Sequence, residues 1–169
     1  MRRVITGVND QGVAVFCRDD ESPHALKMGG FEMGELWFDP DATISDGCDD
    51  LAKQKLGNVP EMGEVQLRYV VFPPKEEMEA MLQGGELQES ADVSAEFHVE
   101  DDNPGMHTTE TIDYGFVLEG SITLELDKGE KKVLHQGDCY VQNGTRHAWH
   151  NETDKRAVIG VVMLGAKRK

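Results

Sequence analysis

The sequence predicts an all-β fold, an antiparallel sandwich or small barrel preceded by an arm of extra strands and interrupted by one short helix. From His107 onward the chain breaks into strand-like pieces separated by turn formers: DYGFVLEG, SITLELDKG, EKKVLHQGD, CYVQNGT, RHAWHN and RAVIGVVML. Within them ITLEL alternates apolar and polar residues, and DKGE between two such pieces is a hairpin signal. Helical spacing of apolar residues is almost absent from this region, so packed antiparallel strands are the arrangement that buries them.

In the first third, VIT (4–6), VAVFC (13–17) and ELWF (35–38) are β-branched or aromatic and separated by Gly, Asp and Pro, which makes them short strands. DDESPHALKMGG and FDPDATISDGCDD carry turn formers and are expected to be loops, the second running into LAKQKL, which allows one helical turn. EVQLRYVVFPP (64–74) is a strand with Val65, Leu67, Tyr69 and Val71 on one face, Gln66, Arg68 and Val70 on the other, and a Pro pair at its end. KEEMEAMLQGG follows with Met78, Met81 and Leu82 at helical spacing and a Gly pair as stop. Residues 86–102 are acidic and weakly patterned apart from a possible strand, AEFHVE. The expected organisation is therefore one domain over 1–169, with an arm over 1–60 and a barrel over 64–165 that carries an acidic insertion at 75–103.

A chain of 169 residues with 38% hydrophobic content has room for one core. Its formal charge of -15, from 32 acidic against 17 basic side chains, disfavours nucleic acid and anionic membrane surfaces as partners. Cys17, Cys48 and Cys139 are odd in number, far apart and in no Cys-x-x-Cys pattern, which suggests neither a disulfide framework nor a structural zinc site and fits a reducing, cytoplasmic setting. No apolar run approaches the ~18 residues that span a bilayer.

Alternate residues of a strand share a face, so His107, Thr109, Thr111 and Asp113 are expected on one side and Thr108, Glu110 and Ile112 on the other. His147, in GTRHAWHN, lies on another strand-like segment. If the two segments pack inside one barrel, two imidazoles and a carboxylate converge, the ligand set of a two-His-one-carboxylate centre with open positions. His150, three beyond His147, should face outward, and His24 and His135 should be exposed; His98 is a further candidate ligand. Trp149, Tyr140 and Phe116 are candidates for a cavity wall, and Tyr114 is expected to pack under a helix or at a subunit interface.

The C-terminal half resembles a cupin. The first cupin motif is His-x-His followed by Glu and Gly, matched here by His107, Thr109 in place of the second histidine, Asp113 in place of the glutamate, and Gly120. The second is matched by Gly137, Gly144, His147 and Asn151, with Gln142 where a proline is usual. The resemblance covers roughly residues 104–165 and implies a double-stranded β-helix, or jelly-roll, barrel. It further implies a divalent metal (Fe, Mn, Ni or Zn) on His107, Asp113 and His147, with Thr109, Gln142, Tyr140 and Trp149 toward a small-molecule substrate. A homodimer is expected because small cupins commonly pair their barrels and because the short N-terminal strands need a sheet edge.

Two functions follow. The first is a metal-dependent enzyme acting on a small carboxylate or carbonyl compound, as an oxygenase, a decarboxylase, or an isomerase or lyase. The second is a metal-free cupin that binds a small ligand or serves as an accessory protein.

Overall fold

The computed structural model describes residues 1–22, 24–44, 59–84 and 105–169. Its frame is a six-stranded antiparallel sheet in the order β3-β4-β5-β11-β6-β9, made of β3 (Ala25–Met28), β4 (Phe31–Asp39), β5 (Val65–Phe72), β11 (Ala157–Gly165), β6 (Thr111–Glu119) and β9 (Cys139–Asn143). A three-stranded sheet, β10-β7-β8, made of β10 (His147–His150), β7 (Ser121–Leu126) and β8 (Lys131–His135), faces it. Ile122, Leu134 and Trp149 of the small sheet pack with Phe31, Val117 and Ile159 of the large one in a single apolar cluster. Two sheets joined through such a layer, each hydrophobic on one face, form the sandwiched barrel that strand alternation predicts.

The hairpin between β6 and β7 turns at Gly120, whose φ is +71°. A Cβ there would lie 2.6 Å from the Arg156 carbonyl oxygen, so only glycine fits both the backbone angle and the approach of the next strand. Asn151 closes the opposite connection: its Nδ2 donates to the carbonyls of Phe72, Pro73 and Lys155, and its Oδ1 accepts from Thr153. The helix α1 (Lys75–Gly84) starts after Pro74 and inserts Met81 into the core.

Several sequence expectations need correction. DDESPHALKMGG is not a loop: Asp19–Glu21 complete β2 (Ala14–Glu21), and Ala25–Met28 form β3, paired with β4 across the Gly29-Gly30 turn. β3 and β4 are the extra strands of this N-terminal region that join the main sheet. The strands of the true arm, β1 (Arg2–Val8) and β2, pair with each other. Arg3 ties this hairpin to the barrel by binding Asp20 and the Leu36 carbonyl at 3.0 Å. The arm therefore needs no sheet edge from a second subunit, and that part of the argument for a homodimer falls away.

Strand β5 has the expected alternation with an unexpected polarity. Gln66 and Arg68 point into the barrel, 1% and 4% exposed, while Leu67 lies on the outer face at 38%. The apolar outer face continues on β6 and β9, where Tyr114, Phe116 and Val141 are exposed. Phe116 thus faces away from the cavity, as the parity of His107 and Asp113 requires, and Tyr114 lies on the exposed outer face of the single chain and packs under no described helix. Cys17 is disulfide-bonded, against the expectation of reduced cysteines, because spacing along the chain does not report proximity in space. The cysteine argument for a reducing compartment does not hold; Cys139 is free and exposed. LAKQKL, AEFHVE and His98 lie outside the described residues. Among the described residues no helix is long and apolar enough to cross a membrane.

Candidate functional site

The interior of the large sheet is graded along the strands. At one end the register aligns Met33, Val70, Ile159 and Val117. The next inward row runs Glu35, Arg68, Val161, Gly115 and Tyr140, and the last runs Gln66, Met163, Asp113 and Gln142. Between this wall and the small sheet lies a cavity of about 80 Å³, room for several waters or a small ligand, with Val70, Phe72 and Ile159 toward its apolar part and His107, Asp113 and His147 among its polar groups.

His107 and His147 form an antiparallel bridge, with backbone hydrogen bonds of 2.9 and 2.8 Å, that sets their rings 4.4 Å apart. Each ring is anchored in the same way. Nδ1 of His107 lies 2.9 Å from the Gly105 carbonyl, and Nδ1 of His147 lies 2.9 Å from the Thr145 carbonyl. A carbonyl oxygen only accepts, so Nδ1 of His107 carries the proton and Nε2 keeps its lone pair, the state in which imidazole binds metals. At His147 the Gln142 amide also approaches, with Nε2 2.8 Å from Nδ1 and 2.6 Å from the Thr145 oxygen. The Gln142 amide has two hydrogens and can serve the Thr145 oxygen and an unprotonated Nδ1 together; the tautomer with the proton on Nδ1, directed at the carbonyl, is the one that leaves Nε2 free to ligate.

Gln142 therefore does not line the cavity as the resemblance implies. Its amide is committed to the Thr145 turn, where Oε1 also accepts from the Thr145 hydroxyl, and it steadies His147 from behind. Thr109 lines the cavity and is 2.8 Å from Thr111 through their hydroxyls. Tyr140 and Trp149 also line it, with ring centroids 4.7 Å apart. Asp113 is buried on the wall, 6% exposed. The carboxylate shares the cavity with the imidazoles, yet among the described residues no three His, Cys, Asp or Glu side chains stand close enough to hold one ion together. The two imidazoles fit a divalent metal in chemistry and protonation; the full three-ligand set expected from sequence is not closed. His150 sits on the outer face of β10, its Nε2 2.8 Å from Glu125. His135 is exposed and His24 half-buried.

Sequence reasoning missed two features of the site. One is the buried ion pair of Arg68 and Glu35, 2.6 Å from Nη2 to Oε1, whose guanidinium borders the cavity. Its signal was present: Gln66 and Arg68 on one face of β5 and Glu35 amid the apolar run of β4 are polar positions at inward parity. The other is Gly115, above which the Tyr140 ring lies; a Cβ at Gly115 would be 2.0 Å from the ring Cζ.

Burial, and the neighbouring His107, push the His147 pKa down to about 4. The unfolded chain then binds more protons than the folded one between about pH 6.5 and pH 4, so stability is fully present above that window and is lost as the pH falls through it. Chelator-treated protein is expected to lose roughly 3 kcal/mol across the window, and His147→Gln to flatten the slope; urea unfolding at stepped pH measures both.

Residues 95–163 match the family model of the cupin domain. That match takes in under half of the chain, and together with the barrel described above it makes the chain similar to small cupin-domain proteins. It is 56% identical over 48 residues, 28% of its length, to Phomopsin biosynthesis cluster protein C' of Diaporthe leptostromiformis, and so spans about a quarter of that relative. It is 28% identical over 173 aligned residues to the cupin-domain-containing oxidoreductase srdD of Neurospora crassa, covering 95% of this chain and 71% of that one. Among solved structures it is similar to an RmlC-like cupin family protein of Methanocaldococcus jannaschii, with 14% identity, a TM-score of 0.40, and 60% and 70% of the two chains covered.

Proposed function

We propose that this protein is a cupin and a metal-dependent oxidoreductase acting on a small organic molecule held in the barrel cavity. The facing imidazoles of His107 and His147 carry the reading, since each has Nδ1 2.9 Å from a backbone carbonyl and, with the proton on that nitrogen, Nε2 free to ligate. Asp113 supplies a carboxylate to the same cavity, and a likeness to proteins described as cupin-domain-containing oxidoreductases supports redox chemistry over the decarboxylase and isomerase or lyase alternatives. A bound divalent ion would polarise a substrate oxygen or bind O₂ at its open positions. The backbone anchors keep both rings from turning when substrate enters.

A second reading, a metal-free cupin that binds a small ligand, draws on the absence of a closed three-residue cluster among the described residues. Elemental analysis of protein purified without a chelating tag and offered Fe²⁺, Mn²⁺, Ni²⁺ and Zn²⁺ separates the two. The enzyme reading expects about one ion per chain. Thr109→His adds a third imidazole to the cavity wall and is expected to tighten that ion by about tenfold, or about 1.4 kcal/mol. A parent that binds no ion, with affinity appearing only in Thr109→His, would favour the ligand-binding module.

A further inference from the structure

The Tyr140 phenol stands out among the groups that the two imidazoles leave unexplained. The residue is only 9% exposed, its ring is wedged between Gly115 and Trp149, and it lines the cavity. Its hydroxyl hydrogen-bonds to no described residue; only burial and the charge of Asp113 act on it. The hydroxyl is not sealed in the wall but reaches the cavity that the ring lines, where a ligand can take the hydrogen bond that no described residue takes. The fold also makes room for this placement. A side chain at Gly115 would collide with the ring at Cζ, the hydroxyl and Cε1, so the one residue without a Cβ on this stretch of β6 is what lets the phenol lie flat along the wall.

We propose that Tyr140 reads the ligand: its hydroxyl donates a hydrogen bond to the neutral carbonyl oxygen of a small molecule whose apolar body lies against Val70, Phe72 and Ile159. This rests on the reading of the cavity as the substrate site, and it narrows the substrate class from carboxylate or carbonyl compounds to neutral carbonyl compounds. Two observations make the choice. In the cavity without an ion Asp113 puts a carboxylate on the same wall, which repels a second one, and the guanidinium of Arg68 is already engaged by Glu35 through both Nε and Nη2, at 2.7 and 2.6 Å. An ordinary phenol is neutral at physiological pH and donates to a carbonyl without needing a charge. Gly115 is the positioning residue for this contact.

The test uses the full-length protein as purified, in a Trp37→Phe background, so that Trp149, in ring contact with Tyr140, is the only tryptophan fluorophore. The probes are cyclohexanone, cyclohexanecarboxylate and cyclohexane. Cyclohexanone is expected to bind saturably and more tightly than the carboxylate. Tyr140→Phe, which keeps the ring and its packing, is expected to raise the cyclohexanone Kd about fivefold while leaving the cyclohexane Kd and the unfolding midpoint unchanged. Gly115→Ala, which displaces the ring, should raise the cyclohexanone Kd as well. Equal ketone affinity in Tyr140→Phe and its parent, or tighter binding of the carboxylate, overturns the assignment while leaving the cavity a ligand site. Failure of every probe to bind overturns both.

Discussion

Replacing His147 with alanine is expected to lower affinity for a divalent ion by more than about 100-fold, while His150→Ala leaves it within about twofold. Loss of a partner that merely orients a metal ligand already costs roughly 10–100-fold, so loss of a ligand itself must exceed that range. The two histidines are three residues apart on one short strand, which puts them on opposite faces. His147 is 3% exposed and bridges His107 inside the barrel, whereas His150 meets Glu125 on the outside. Isothermal titration with Zn²⁺ on the parent and both variants, each checked for an intact thermal transition, reads the difference. Equal losses would show that binding follows global stability instead of the imidazole pair; equal retention would move the metal away from His107 and His147 and remove the basis of the oxidoreductase proposal.

What could be read from the sequence, and what could not, follows from which interactions are local. Alternation is local, so the strands from Thr111 onward, the helix after Pro74 and the inward parity of His107, Thr109 and Asp113 were all legible. Strand β3 was hidden because ALKM is short and lies among turn formers, although the Gly29-Gly30 pair between it and FEM is itself a hairpin signal. The inside and outside of β5 were not assigned by alternation, because Val65, Leu67, Tyr69 and Val71 make the outer face the more apolar one. The polarity of Gln66 and Arg68 makes sense only once the barrel has a cavity for them to face. Register was beyond reach altogether. That Tyr140 lies across Gly115, and that Asp113 shares a row with Gln142 while standing apart from the imidazole pair, depends on how β6 aligns with β9 and β11. The motif placed His107 and His147 on one cavity, where they face each other, while the expectation of Gln142 toward a substrate missed that its amide serves the Thr145 turn.

The largest effect on stability is expected at Arg68. Arg68→Met leaves the Glu35 carboxylate, 1% exposed, without the guanidinium that touches it through Nε and Nη2. Burying a carboxylate without its counter-charge costs far more than the ion pair contributes, so the variant should lose about 3–5 kcal/mol. In a chain of this size that is a fall in Tm of about 10 °C or more. Glu35→Leu should be costly for the converse reason. The double variant Arg68→Met with Glu35→Leu places two apolar side chains of similar volume side by side on adjacent strands, in a wall already formed by Met33, Val70 and Val161. It is therefore expected to return to within about 1 kcal/mol of the parent, or to exceed it. The double-mutant cycle from urea unfolding of the four proteins should then give a coupling energy above about 2 kcal/mol. Additive losses, with the double variant the least stable of the four, would mean that each side chain is held mainly by other groups and that the pair is not the unit that stabilises this wall of the cavity.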